Sequence, residues 1–295
     1  MFKYLKLKDN SEKAPTYSRN LVTDWLDEDS DIPITLKQIN NLPRNFKKRV
    51  YRNLLSPGLL SRFGIHPITW KGSDGQERVG LTAEPGTNVV HLWAQSSNDP
   101  EDEFFRLEMA DNIFNGIDLH LLLLNDPNSP KFETEIDEAG NPTLFSTARR
   151  NISEERRAKQ AGLAPAQIRS NLGASSLVIE QIDVFMATLG QQAYFLEPLT
   201  YASAWVFERR GFAYVRGHQL MEQIHQEFQP GGKLRTTLDG SSPFRQSNQC
   251  CSVRGRAWAI HDGILDVIDA RWDNIRMIKQ VGRHAGVITY PEATY

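Results

Sequence analysis

Cysteine is nearly absent: Cys250 and Cys251 are the two thiols among 295 residues, and they are direct neighbours. Two adjacent cysteines supply no disulfide framework, and a bridge between neighbours is strained, so both read as reduced thiols of a cytoplasmic protein. Long apolar runs are missing as well. Nowhere do roughly 18 apolar residues follow one another, and the lysine-bearing start, Met1 to Asn10, has no apolar stretch of signal-peptide length behind it. Neither a membrane span nor export is expected. An excess of charge of one sign is lacking too: 34 Lys plus Arg stand against 36 Asp plus Glu, a formal net charge of -2. No overall field gathers nucleic acid or an anionic membrane, so any anion must be held by local groups. There is no Gly-x-Ser-x-Gly elbow of a hydrolase, no Cys-x-x-Cys zinc spacing and no internal repeat.

The length allows one large domain with extensions. Residues 1 to about 30 are polar and charge-mixed and read as an arm packed through Tyr17, Leu21 and Trp25. Lys47, Lys48, Arg49 and Arg52 read as the solvated face of a helix. Arg78 to Thr82 and Val89 to Trp93, around Glu84-Pro85-Gly86-Thr87-Asn88, predict a hairpin. Asp99-Pro100-Glu101 looks like a capped helix start, with Phe104, Leu107, Ala110 and Phe114 at helical spacing behind it. Ile117 to Leu124, Lys131 to Ile136 and Thr143 to Thr147 then suggest an antiparallel meander. Arg149 to Gln160 is charged and helix-prone. Near the end, Ile264, Leu265, Ile268, Trp272, Ile275 and Ile278 mark a helical region, and Ala285 to Tyr290 a terminal strand.

The most informative stretch is Ser170 to Gly217. Ser170-Asn171-Leu172-Gly173-Ala174-Ser175 reads as a loop opening a helix, Ser176 to Leu189, closed by Gly190. In that helix Val178, Ile182, Phe185 and Leu189 repeat at i, i+4, i+7 and i+11, so one face is apolar and should lie on a sheet. A short strand, Ala193 to Leu196, a second helix, Tyr201 to Arg210, and another strand, Phe212 to Val215, follow. Glycine and small residues at a helix N-terminus let main-chain N–H groups approach a pyrophosphate closely, and the helix adds its positive end.

From Lys131 to Val215 this order resembles the Gcn5-related N-acetyltransferase superfamily. Gly173 and Gly190 bracket the first helix at that family's separation, and Phe207-Glu208-Arg209-Arg210-Gly211-Phe212 occupies its closing Tyr-Glu-x-x-Gly-Phe motif. The resemblance implies an acyl-coenzyme A co-substrate, acetyl-CoA or another acyl-CoA. Its pyrophosphate would lie over Leu172, Gly173, Ala174, Ser175 and Ser176, with Arg169, and Arg149 or Arg150, as added cations. Its pantetheine arm would pair with the strand around Tyr194 to Glu197. The chain departs from the family at Ser170, where Gln or Arg is usual, at Thr200 in place of Asn, and at Phe207 in place of the tyrosine that protonates the departing thiolate. Asn151 to Gln167 is an insertion. Tyr201 or Tyr214 stands in for the missing acid, and Glu197 and His120 are the candidate bases for the amine.

These readings give an α/β fold, α+β by layer: a mixed, largely antiparallel sheet flanked by helices, acyl-CoA N-acyltransferase-like. Residues 1–98 form an N-terminal extension with a hairpin, 99–217 the core, and 218–295 a loop-rich extension packed on it. The expected activity is transfer of an acyl group to an amine of a small molecule or peptide, without nucleic acid, membrane or metal. Two alternatives stay open. One is a non-catalytic binder of small ligands on the same fold. The other is a metal-dependent enzyme, because His218, Glu222 and His225 fall within one helical arc and His261-Asp262 could add ligands.

Overall fold

A computed structural model describes residues 33–144 and 148–295. The expected arm, with Tyr17, Leu21 and Trp25, and the end of the strand expected at 143–147 lie outside the described residues. The fold is α/β, built on one mixed seven-stranded sheet. Val79–Thr82 (β1), Val89–Gln95 (β2), Glu103–Asp111 (β3) and Ile117–Leu124 (β4) pair in chain order, each antiparallel to the next. Ala193–Leu196 (β5) lies parallel to β4. Arg276–Gln280 (β7) inserts between β5 and Ala213–Arg216 (β6), antiparallel to both. The sheet therefore takes strands from 79–95, from 99–217 and from 276–280, and runs through all three expected segments.

Leu36–Asn40 (α1), Arg44–Tyr51 (α2) and Pro57–Arg62 (α3) precede the sheet. They are fixed by polar residues that sequence patterning does not flag. Asn40 is fully buried; its amide donates to the carbonyls of Thr87 and Val89 and its carbonyl oxygen accepts from Tyr51 Oη at 2.5 Å. Lys47 is not on a solvated face: it is buried, with Nζ donating to the carbonyls of Asn40 and Ala83. Satisfying the ammonium through carbonyl oxygens is what permits its burial.

The helix expected after Asp99 is the strand β3. Asp99 does cap, accepting from Glu101 N–H at 2.9 Å, but only the 3-10 turn Pro100–Asp102 follows. Phe105, Leu107 and Met109 alternate inward around an exposed Arg106, and both edges of β3 are paired. Phe104, Leu107 and Ala110 also fit a helical period, so neighbouring strands decided the matter. The strands expected at 131–136 and 143–147 are replaced, in the described part, by a loop with one isolated bridge between Ile136 and Pro142. Phe132 from this loop joins Ala158, Leu163, Phe244 and Trp258 in a small second core. Of the final helical region only Ile264–Ile268 is helical, as a 3-10 turn, because Arg276–Gln280 is drawn into the sheet. Ala285 to Tyr290 forms no strand.

Ser175–Thr188 (α5) lays Val178, Ile182, Phe185 and Leu189 into the main core as expected, with Phe185 stacked near Tyr51. Each such burial contributes about 1.5–3 kcal/mol. Tyr201–Arg209 (α6) starts at Thr200, which forms a reciprocal capping box with Ser203. Its Glu208 is buried and accepts from Tyr214 Oη at 2.6 Å, Thr289 N–H at 3.0 Å and Thr289 Oγ1 at 2.7 Å, tying α6 to β6 and to the C-terminal segment. Ile152–Gln160 (α4), His218–Glu227 (α7), Lys233–Thr236 (α8) and Val253–His261 (α9) complete the layer, with α9 packed on α6. Among the described residues no helix is long and apolar enough to cross a membrane.

Candidate functional site

The parallel pair β4 and β5 stays together for three residue pairs only, Ile117 to Leu119 against Tyr194 to Leu196. Beyond them the strands part. The chain after β5 turns away through Glu197-Pro198 into α6, while β4 continues on β3 to Leu124. Further along, the loop before α5 closes on the end of β4: Leu172 N–H donates to Leu124 O at 3.2 Å, and Asn125 bridges Asn171. Between these points His120 to Leu123 have no strand partner on the β5 side among the described residues. A cavity of about 220 Å³ opens there, with Leu122, Ile179, Val206 and Phe207 as apolar wall and Ser175 and Arg210 as polar rim.

Gly173, at φ 74°, turns the chain into α5, and a Cβ placed on it would meet nothing within 4 Å. Not every amide of this turn is open. Leu172 N–H is given to Leu124 and Gly173 N–H to Asn171 Oδ1 at 2.7 Å, so the free amides begin at Ala174. Among the described residues no side chain caps α5. The positive end of the helix faces open space, and Arg210, which sequence reasoning missed, donates from Nε and Nη2 to Ser175 Oγ at 3.2 and 3.0 Å. Among the described residues no carboxylate pairs with Arg210.

The cations expected from sequence are engaged elsewhere. Arg169 is buried and donates to the carbonyls of Pro127 and Ser129. Arg150 serves Glu155 and Asp262, and Arg149 lies 3.7 Å from Asp137. Tyr194 is also structural: its ring lies beneath α5, its hydroxyl donates to Asp183 at 2.9 Å, and its strand is paired on both edges. Burial, then the Asp183 carboxylate, pushes its hydroxyl well above the ordinary phenol range.

Tyr201 is buried, and burial pushes its hydroxyl up to about 12. Tyr214 commits its proton to Glu208 and is likewise raised, by burial and then by that carboxylate. The tyrosine at the first cavity is instead Tyr295, stacked on Trp205 at 5.7 Å. His120 is exposed on β4 and lines the same cavity. Glu197 stands at the parting point, 60% exposed, with Oε1 accepting from Arg276 at 3.2 Å.

Across the segment Glu197 to Thr200 lies a second cavity, of about 550 Å³, walled by Leu199, Ile260, His261, Trp272 and Ile275. Trp272 Nε1 donates to Pro198 O at 3.3 Å, bracing the partition. His261 ends α9, and its Nε2 is 3.4 Å from Glu155 Oε1. Burial would raise the Glu155 carboxyl, but hydrogen bonds from His261 and Arg150 outweigh it and hold the group below the ordinary carboxylate range. His218, Glu222 and His225 do not converge: His218 Nδ1 and Glu222 are 3.9 Å apart, while His225 turns to Arg256 and Tyr290. No group of three His, Cys, Asp or Glu side chains placed to hold a metal occurs among the described residues.

No family model matches this chain, and no curated protein or solved structure shows significant similarity to it.

Proposed function

We propose that the protein transfers an acyl group from acyl-coenzyme A to an amine, on a fold of the acyl-CoA N-acyltransferase kind. The observation that carries this reading is the parting of β4 from β5 at a cavity that Ser175, in the first turn of α5, helps to line. From the Gly173 turn onward the element order is the one the resemblance implies, α5, β5, α6 with its Arg-Gly-Phe close, and β6, while the strand before the turn is β4 and not the hairpin expected at 131–147. The residues fit a diphosphate. The first-turn amides from Ala174 to Ser176 carry the positive end of the helix dipole, Arg210 sits beside them on Ser175 Oγ, and a Cβ on Gly173 would meet nothing within 4 Å.

Main-chain groups of His120 to Leu123, unpaired toward the cavity, suit an amide-bearing arm better than Tyr194 to Glu197, whose first three residues are spent in the sheet. Coenzyme A would supply an activated acyl carbon. The chain would supply position, an apolar wall that excludes water, and main-chain donors for the carbonyl oxygen. Tyr295 lines this cavity, whereas Tyr201 and Tyr214 do not, which supports Tyr295 as the acid that gives a proton to the departing thiolate.

Thermal denaturation with acetyl-CoA tests the reading. At a hundredfold excess over Kd, binding to the folded state adds about 2.7 kcal/mol, or roughly 5 °C for a chain of this size. Gly173→Glu should abolish that rise by filling the open space. Gly173→Ala imposes similar backbone strain without filling it, and should keep most of the rise. No shift in the unaltered protein, or an equal shift in Gly173→Glu, overturns the reading.

A further inference from the structure

The second cavity is lined by no residue of β4 or of the Gly173 turn, yet it shares the Glu197–Thr200 partition with the first and contains a histidine backed by a buried carboxylate. Glu155 is 1% exposed and fixed from its other side by Arg150, with Nε at 2.9 Å from Oε2. It is therefore a fixed acceptor for His261 Nε2–H. A carboxylate at one ring nitrogen selects the tautomer with the proton there and leaves the lone pair on the other. Nδ1 of His261 has no hydrogen-bond partner among the described residues, and the side chain, 14% exposed, opens into the cavity. Glu197, by contrast, is engaged by Arg276 at 3.2 Å and lies 3.9 Å from Arg216.

We propose that this cavity is the amine-acceptor site and that His261, positioned by Glu155, is the base that prepares the amine; the assignment rests on the acyl-transfer reading. The step is a proton transfer: an ammonium N–H gives its proton to Nδ1, leaving a neutral amine and an imidazolium whose Nε2–H faces Glu155. The walls define the class of acceptor. Trp272, Ile260, Leu199 and Ile275 offer apolar and aromatic surface, and Asp273, which has no ion-pair partner among the described residues, stands exposed at the rim. A primary amine on an aromatic or apolar stem fits, with the ring against Trp272 and the ammonium toward His261.

The charged groups that face His261 are Glu155 and Arg150 on the α4 side, Asp262 and Arg245 beside it, and Glu197 and Asp273 across the cavity. Glu155 and Asp262 both have arginine partners, so the carboxylate that orients the ring is itself held in place.

Histidine ε1-13C NMR on the full chain, with the His261 signal assigned by His261→Gln, reads the site without requiring turnover. Phenethylamine and tryptamine should shift the His261 signal saturably, putrescine at least tenfold more weakly, and Trp272→Ala should weaken the aromatic amines about tenfold. In acetyl transfer to phenethylamine, His261→Gln should lower kcat at least a hundredfold with KM little changed, and should remove the rise of rate with pH that reports the imidazole. If coenzyme A stabilises the protein but no amine moves the His261 signal, the acceptor assignment is overturned and acyl transfer stands. Amine shifts without coenzyme A stabilisation overturn the acyl-transfer reading, and the acceptor role with it. Binding of putrescine alone overturns the aromatic class.

Discussion

Arg210 Nη2 donates to Ser175 Oγ at 3.0 Å, which holds a guanidinium against the first turn of α5. A cation at the positive end of a helix is unfavourable by about 0.3–1 kcal/mol, and a bound anion reverses the sign of that interaction. Arg210→Ala is therefore expected to leave unliganded stability unchanged or slightly raised while weakening coenzyme A binding roughly tenfold to a hundredfold, the loss of one or two charge-assisted hydrogen bonds. Urea denaturation and calorimetry on the same variant read the two effects separately.

Glu208 presents the opposite situation, a buried carboxylate satisfied entirely by neutral donors on Tyr214 and Thr289. Glu208→Ala removes the acceptor for three hydrogen bonds and should destabilise the protein by about 3–5 kcal/mol. Glu208→Gln keeps an acceptor and the volume and should cost less than half of that. Urea midpoints compared at constant m-value check both.

Acid sensitivity should centre on Arg150. Burial raises Asp262, but hydrogen bonds from Ser242, Arg150 and Arg245 lower it further, as His261 and Arg150 do for Glu155. Both folded-state values lie below the unfolded ones, so the stability they contribute is complete above about pH 4–5 and is lost as pH falls through the lower folded values. Arg150→Met should flatten the acid limb of a stability–pH curve and leave its slope above pH 6 unaltered. An unaltered acid limb would refute this assignment.

The two thiols should differ in reactivity although their sulfurs are 3.1 Å apart. Cys250 is buried, and burial, then the neighbouring Cys251 thiol, pushes its thiol up, whereas Cys251 is exposed. Iodoacetamide at pH 8 should add one label per native chain, on Cys251, and two after denaturation, as read by peptide mass spectrometry.

Tyr295→Phe should lower kcat for acetyl transfer about tenfold to a hundredfold and leave the coenzyme A melting shift in place, because the ring can keep its stack on Trp205. Loss of the melting shift instead would assign Tyr295 to binding.

Local information was enough for elements whose own residues satisfy them. The apolar stripe of α5, the closure at Gly190, the limits of β5, the start of α6 at Tyr201 and the turn at Gly173 are all legible as periodicity or turn chemistry. Segments that depend on a partner were not. Glu103–Asp111 carries apolar residues compatible with two periods, and only β2 and β4 on its edges made it a strand. Arg276–Gln280 reads as helix until β5 and β6 claim it from both sides.

The same division holds for the candidate site. Sequence marked the loop, because glycine and small residues announce a main-chain approach within a few positions. It could not say which cations remain free, since Arg169 and Arg150 reach Ser129 and Asp262 across 40 and 112 positions and Arg210 reaches Ser175 across 35. Nor could it bring Glu155 to His261, 106 residues apart. Backbone conformation is set by near neighbours, whereas the pairing of charges is set by which helices pack together, and that the tertiary structure alone decided.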